Sequence, residues 1–205
     1  MNELKEKLYN KQTVYGTWCS LSSANAVNSI AFSGLDFIVI DLEHGSTSYE
    51  TAENMARAAE TADCSPIIRC SSLSQEHLLR CLEIGTKSIF VPNVNSKTQA
   101  ENVVKYCLYQ TLGNRGLSLY TRIHKYSDDN LKNKLIEANE DLLIGILVEG
   151  SNGLENLKDI CEVEHLDIIY LGLFDICQSV GLPGQIDHPQ VVEKLKDYQS
   201  IISNA

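Results

Sequence analysis

The chain has 205 residues and a formal net charge of −10, with 43% hydrophobic and 21% charged residues. This composition is typical of a folded globular protein and excludes a disordered chain, and the length favours a single domain over residues 1–205. The acidic balance, without a basic patch interleaved with aromatic residues, excludes a typical nucleic-acid-binding protein.

The N-terminus and the cysteines predict the compartment. Residues 1–7 lack the apolar core of a signal peptide, and no apolar run approaches the roughly 20 residues of a membrane span. The seven cysteines are odd in number and include no Cys-x-x-Cys pair, so they fit neither a disulfide framework nor a zinc ribbon. We therefore predict a cytoplasmic protein with no membrane partner, in which most cysteines are small buried apolar side chains.

Apolar runs and amphipathic segments alternate along the chain. The apolar runs predict strands near residues 14–19, 36–41, 65–69, 88–92, 142–149 and 167–172. The amphipathic segments predict helices over residues 46–62, 74–84, 97–109, 127–139, 153–163 and 188–202. Since the apolar runs do not alternate with polar residues, both faces of each strand are expected to be covered, as in a parallel sheet.

The number of strands limits the choice of fold. A closed barrel of eight strand-helix units needs more strands than these six and typically ~250 residues. We predict an α/β fold of the TIM-type (β/α) barrel that is incomplete, with about six of eight strands encoded. The alternative is a doubly wound open sheet, but the glycine-rich nucleotide motifs that such sheets often carry are absent from the sequence.

Residues capable of chemistry follow the apolar runs at intervals of about one strand and one helix. They are Trp18, Asp41, His44, Arg69, Pro92, Glu149 and Asp175. Because parallel strands that lead into helices bring their carboxyl ends to one face, we expect these residues to share one pocket, as in an active site. The remaining histidines are interpreted as surface or capping groups: His77, His124, His165 and His188.

These residues and their neighbours resemble the HpcH/HpaI class II pyruvate aldolases of the phosphoenolpyruvate/pyruvate barrel superfamily. The resemblance runs from about Tyr15 to Val192. Its clearest pieces are Gly16-Thr17-Trp18, Asp41-Leu42-Glu43-His44-Gly45, Ile68-Arg69, Val91-Pro92-Asn93-Val94-Asn95, Gly113-Asn114-Arg115-Gly116, Val148-Glu149 and Gly172-Leu173-Phe174-Asp175. It implies the barrel fold and a metal-dependent lyase that cleaves a 4-hydroxy-2-oxo acid to pyruvate and an aldehyde through a metal-bound pyruvate enolate.

The resemblance also implies the roles of five residues. Glu149 and Asp175 occupy the positions of the metal ligands, and hard oxygen donors suit Mg²⁺ or Mn²⁺. His44, with Asp41 beside it, resembles the acid/base pair of the family. Arg69 resembles the arginine that faces the oxygen where enolate charge develops. The structural alternatives are capping carboxylates, a histidine at a strand end and an arginine in a salt bridge at the barrel rim.

The substrate pocket is expected to include Trp18, Arg69, Gly172, Phe174 and Asp175. For Trp18, a place in the core is an equal alternative. Phe174 departs from the family pattern, because it puts bulk where backbone amides would hold the substrate carboxylate. The partners implied are a small 2-oxo acid and an aldehyde, and neither nucleic acid nor a membrane.

A second hypothesis follows from departures such as Phe174 and Leu147, the latter standing where the family usually has glutamine. The last two strands and the terminal helical arm of the family are also expected to be absent. The chain would then be a degenerate barrel that serves as a non-catalytic subunit for oxo-acid or metal binding or for assembly. Lyase chemistry on an acyl-linked substrate, as in citrate-lyase-like relatives, ranks below both. Open sheet edges predict a homo-oligomer in either case.

Overall fold

Six parallel strands form one curled sheet in which spatial order follows chain order. The computed structural model describes residues 2–205. The strands are β1 (Gly16–Cys19), β2 (Phe37–Asp41), β3 (Ser65–Arg69), β4 (Ser88–Val91), β5 (Leu143–Val148) and β6 (Ile168–Leu171). Each predicted strand is confirmed to within two residues at either end. The uninterrupted order is that of an incomplete TIM-type barrel, because a doubly wound sheet reverses its order at a switch point.

In the described part of the chain, one helix precedes β1 and the others follow the strands. They are α1 (Glu3–Tyr9), α2 (Ala24–Ala31), α3 (Tyr49–Glu60), α4 (Gln75–Glu83), α5 (Lys97–Cys107), α6 (Leu131–Asp141), α7 (Ser151–Glu155), α8 (Leu157–Cys161), α9 (Leu173–Ser179) and α10 (Pro189–Ser203). Four of them, α2 to α5, begin after a serine whose hydroxyl accepts a hydrogen bond from a first-turn backbone N–H. Such caps satisfy donors that have no partner within the helix.

The helix predictions were correct for α3, α4, α5 and α10 and less accurate elsewhere. The segment predicted over residues 127–139 becomes helical only at Leu131, after a left-handed Asn130. The segment predicted over residues 153–163 is two short helices that meet at Asn156. Helices α1, α2 and α9 were not predicted; each has eight residues or fewer, which is too short for a clear helical period.

The two faces of the sheet are buried in different ways. The outer face packs under the helices in one large apolar cluster that includes Ile38, Ile40 and Ile68. The inner face carries a smaller cluster of Val39, Ile67, Phe90, Leu143 and Leu147, joined by Leu4 of α1. Helix α1 therefore covers the inner face at the amino ends of the strands, and the carboxyl ends are left for the site.

The cysteines are confirmed as buried side chains. All seven are free, and six are buried, with Cys161 half-buried. Burial raises the pKa of the Cys81 thiol to about 12, so this thiol stays protonated and unreactive. None of the helices in residues 2–205 is both long and apolar enough to cross a bilayer.

Candidate active site

Two carboxylates meet at the carboxyl ends of β5 and β6. Glu149 follows β5, and Asp175 lies in the first turn of α9. Between them stands Gly172, where a Cβ atom would lie 2.9 Å from Glu149 Cγ and 3.1 Å from Asp175 Oδ2. Gly172 thus lets the two acids come together in a space that a larger residue would fill. Burial raises the pKa of Glu149, and the neighbouring carboxylates of Glu43 and Asp175 raise it further.

Asn93 links this pair to a third carboxylate. Its backbone N–H donates to Glu149 Oε2 at 3.3 Å, and its side-chain amide donates to Glu43 Oε1 at 3.3 Å. Asn93 adopts a left-handed conformation with φ of 57°, which asparagine tolerates better than most residues. No role for Asn93 was predicted from the sequence. Its position directly after Pro92, at the end of a predicted strand, was the feature that could have indicated a place in the site.

Arg69 is held by two acids. Residues Arg69 and Asp41 are register partners at the ends of β3 and β2. The Arg69 guanidinium donates through Nε to Asp41 Oδ1 at 2.9 Å and through Nη2 to Asp41 Oδ2, while Nη1 lies 3.0 Å from Glu43 Oε2. Both residues are buried. This bidentate pair fixes the guanidinium at the edge of the carboxylate cluster.

Trp18 forms an aromatic wall beside Arg69. The guanidinium carbon of Arg69 lies 4.5 Å from the centroid of the Trp18 ring, within the range of a cation–π contact. Trp18 also contacts Tyr170 edge-on at 5.5 Å and Phe90 at 6.1 Å between ring centroids. Trp18 is half-buried. It therefore belongs both to the inner apolar cluster and to the border of the pocket.

His44 lies at the surface of the same end of the sheet, but Asp41 does not orient its ring. The Asp41 carboxylate accepts backbone N–H bonds from Glu43 at 2.9 Å and His44 at 3.2 Å, in addition to its bonds with Arg69. Within residues 2–205, no hydrogen bond joins Asp41 to the His44 imidazole. The pair proposed from sequence is thus adjacent without being coupled. Asp41 pairs with Arg69 because a buried arginine without a counter-ion would destabilise the fold more than an exposed histidine without one.

Two residues that depart from the family pattern have clear positions. Leu147 is buried in the inner apolar cluster. Phe174 lies in the first turn of α9 and has 65% of its surface exposed. Its ring is therefore largely in solvent, and the atoms nearest the space that a Gly172 side chain would fill belong to Glu149 and Asp175.

The donor set fits a divalent cation held by two protein ligands. No three histidine, cysteine, aspartate or glutamate side chains in residues 2–205 converge in a metal-binding arrangement. Glu149 and Asp175 supply two hard oxygen donors, and the pKa of Glu149 is raised first by burial and then by the like charges of Glu43 and Asp175. A small oxygen-seeking cation would relieve that repulsion, with water and substrate oxygens as its other ligands.

Asp41→Asn is expected to lower the free energy of unfolding by about 3 kcal/mol, at the lower end for a broken buried ion pair because Glu43 still faces Arg69. Burial raises the pKa of Asp41, but bonds from Arg69 and from the backbone of Glu43 and His44 outweigh it, so the folded-state pKa lies below 3.8. The stabilisation is therefore complete above pH ~4 and is lost as the pH falls further.

Urea unfolding of both proteins between pH 7 and pH 3 tests this expectation. The stability of Asp41→Asn should depend less on pH over the acid range than that of the wild type. Asp197→Asn, at an exposed position of α10, is the control and should change stability by no more than about 0.5 kcal/mol. Equal stability of Asp41→Asn and wild type at pH 7 would contradict the assigned ion pair.

Comparisons with known proteins show the family to which the chain is related. The family model described as HpcH/HpaI aldolase/citrate lyase matches residues 14–205. A pyruvate aldolase of Rhizobium etli is 30% identical over 197 residues, covering 96% of this chain and 77% of the relative. A 2-keto-3-deoxy-L-rhamnonate aldolase of Salmonella typhi is 31% identical over 191 residues, covering 93% and 71%. Among solved structures, the citrate synthase SbnG superposes with a TM-score of 0.88 at 32% identity, covering 98% of this chain and 78% of that chain.

Proposed function

The chain belongs to the HpcH/HpaI aldolase/citrate lyase family as a class II aldolase-like lyase, and from that premise we propose that it cleaves a 4-hydroxy-2-oxo acid to pyruvate and an aldehyde, or catalyses the reverse addition. The observation that carries this proposal is the meeting of Glu149 and Asp175 across Gly172, beside the buried guanidinium of Arg69. Cleavage of a 2-oxo acid requires that its carboxylate and ketone oxygens be held and that the developing negative charge be stabilised. Glu149 and Asp175 would meet the first requirement through a bound cation, and Arg69 would meet the second.

The proposed cofactor is Mg²⁺ or Mn²⁺, held by Glu149 and Asp175. When bound, such a cation would act as a Lewis acid on the carboxylate and ketone oxygens of the substrate. Glu43 is placed for a water-mediated contact, since Asn93 ties it to Glu149. Gly172 keeps the two ligands close, and Asp175 also borders the substrate.

The chain's own residues would carry the proton and the charge. In the cleavage direction, the proton of the C4 hydroxyl passes to the His44 ring as the bond between C3 and C4 breaks. The electrons of that bond move into the pyruvate fragment, which then takes up at C3 the proton held by the His44 ring. The guanidinium of Arg69 stabilises the negative charge on the enolate oxygen without reorganising, because Asp41 and Glu43 already hold it. Trp18 walls the pocket, and Phe174 borders its open side.

Proton exchange at the methyl group of pyruvate tests this proposal without an aldehyde. The wild type with Mn²⁺ or Mg²⁺ should exchange the methyl protons for deuterium in D₂O, as followed by loss of the methyl signal in proton NMR spectra. His44→Ala should slow the exchange, because it removes the base. Absence of exchange by the wild type at saturating cation and pyruvate would contradict the proposed chemistry.

We expect the chain to form a homo-oligomer. Strands β1 and β6 are the edges of the sheet, and each pairs with only one strand in the described residues. Tyr170 on β6 and Phe174 beyond it are 40% and 65% exposed. Pairing between copies would cover these edges and rings. Light scattering on dilution, together with a dye that reports apolar surface, should give a multimer that binds little dye. A dye-negative monomer at micromolar concentration would contradict this expectation.

A second candidate is a synthase that joins two oxo acids or carboxylic acids by a new carbon–carbon bond. It is favoured by the 32% identity to the citrate synthase SbnG, which is as high as the identity to the aldolases. The same carboxylate cluster would serve it. A product containing a new carbon–carbon bond, formed without aldehyde, would favour this candidate over the aldolase.

A further inference from the structure

A cavity of about 390 Å³ lies at the opposite end of the sheet from the active site. It is bordered by the residues that precede β4 and β5, by α6 and by the single helical turn Arg122–His124. Its polar lining includes Thr86, Lys87, Arg115, His124, Lys125 and Lys134. None of these residues takes part in the chemistry proposed above.

Arg115 is a buried cation in the lining of this cavity. Only 6% of its surface is exposed, and its Nε and Nη2 atoms are buried without a hydrogen-bond partner. Its guanidinium lies 4.6 Å from the centroid of the Tyr109 ring, which provides a flat support but no acceptor. Glu83 is near enough to interact electrostatically but forms no hydrogen bond with it. Since arginine keeps its charge even when buried, a guanidinium that no acid pairs with is costly unless an anion lies against it.

The surrounding side chains leave the cavity positive. Lys87 faces Asp141 at 2.7 Å. Lys134 donates to the backbone carbonyls of His124 and Ser127 and so brings its charge to the wall. Lys125 is exposed at the mouth, and the remaining acid of the lining, Glu137, is also exposed. Cationic groups therefore outnumber acids around Arg115.

His124, which the sequence predicted to be a surface or capping group, is instead buried. It is 1% exposed, and its Nε2 atom lies 2.9 Å from the Tyr109 hydroxyl. Burial lowers the pKa of His124, and the charges of Arg115 and Lys134 lower it further. The ring is therefore neutral at pH 7. Because it borders the cavity, its NMR signal should respond to an anion bound there.

We propose that this cavity binds a small oxyanion, a phosphate or carboxylate group, through the guanidinium of Arg115. An anion lying against Arg115 would neutralise the charge of a buried guanidinium that no acid in residues 2–205 pairs with, and the planar fork of arginine suits two oxygens of such a group. Lys125 and Lys134 would add attraction at the mouth and the wall. The site lies apart from the active site, so it does not rest on the proposed aldolase function.

Histidine ring resonances measured by NMR during anion titrations test this proposal. Inorganic phosphate and malonate, each added at constant ionic strength, form the two arms and distinguish the phosphate class from the carboxylate class. The His124 signal should move saturably with at least one anion. The exposed His44 signal, assigned from His44→Ala, should not follow the same curve. Absence of saturable movement at His124 with both anions would overturn the proposal.

Variants locate the anion on Arg115. Arg115→Lys keeps a positive charge but loses the planar fork and should weaken binding roughly tenfold. Lys132→Ala, exposed on α6 and outside the cavity lining, is the control and should stay within about twofold. If Arg115→Lys does not fold, Lys125→Gln takes its place, with about threefold weakening expected from the loss of an exposed charge. Unchanged affinity in the folded variant would overturn the assignment.

Discussion

Glu149→Gln and Asp175→Asn are each expected to abolish saturable Mn²⁺ binding and to slow pyruvate release on the order of 10³-fold, since several kcal/mol of charge stabilisation depend on the bound cation. Both substitutions keep the size of the side chain and remove its negative charge. Titration calorimetry with Mn²⁺ measures the binding, and circular dichroism shows that the helices are retained.

Two further variants sharpen this test. Gly172→Ala places a Cβ atom within 2.9 Å of Glu149 Cγ and should push the carboxylates apart, lowering Mn²⁺ affinity although both ligands remain. Glu162→Gln removes an exposed acid that pairs with Lys97 and should leave Mn²⁺ affinity unchanged. Wild-type affinity in both Glu149→Gln and Asp175→Asn would show that the cation binds elsewhere.

His44→Ala is expected to lower turnover at saturating substrate by ~10²–10⁴-fold, the usual contribution of a general acid or base. Its fold should be unaffected, because the His44 ring is exposed and its backbone N–H bond to Asp41 remains. His165→Asn, an exposed histidine in a left-handed turn far along the sequence, is the control and should keep full activity. Near-normal turnover in His44→Ala would show that another group acts as the general acid or base.

Arg69→Lys is expected to be damaging as well, although it keeps the charge. An ammonium group cannot hold both Asp41 oxygens, reach Glu43 and stack on Trp18 at once. Turnover should therefore fall more than substrate affinity, because the loss concerns the charge that develops during the reaction. A variant with unchanged turnover would assign Arg69 a purely structural part in the rim.

Much of the fold could be predicted because most strands correspond to apolar runs in the sequence. In a parallel sheet covered on both faces, a run such as residues 142–148 is apolar throughout, and a polar residue, here Glu149, marks its end. Short helices were harder. Helix α9 starts directly after Gly172, and its seven residues give fewer than two full helical turns.

The shared location of the candidate site residues was easier to predict than the contacts between their side chains. Asp41 and Arg69 end neighbouring strands, so shared location follows from topology. The choice of Arg69 over His44 as the partner of Asp41 depends on which cation is buried, and sequence adjacency carries no such information. Asn93 was missed for the same reason, since its contacts with Glu43 and Glu149 join residues from three different strand ends.

Burial of polar side chains was the other source of error. His124 follows no apolar run and reads as a surface residue, yet the Tyr109 hydroxyl satisfies its ring in the interior. A histidine that forms a hydrogen bond in the interior can be buried at modest cost. The residue that provides this bond, Tyr109, cannot be identified from the apolar pattern around His124.

The most direct test of the central claim is pyruvate release from a panel of 4-hydroxy-2-oxo acids with Mn²⁺ or Mg²⁺. The proposed function predicts equal amounts of pyruvate and aldehyde from at least one member of the panel, with activity lost on chelation and restored by added cation. A protein that binds Mn²⁺ saturably and releases no pyruvate from any member would contradict it.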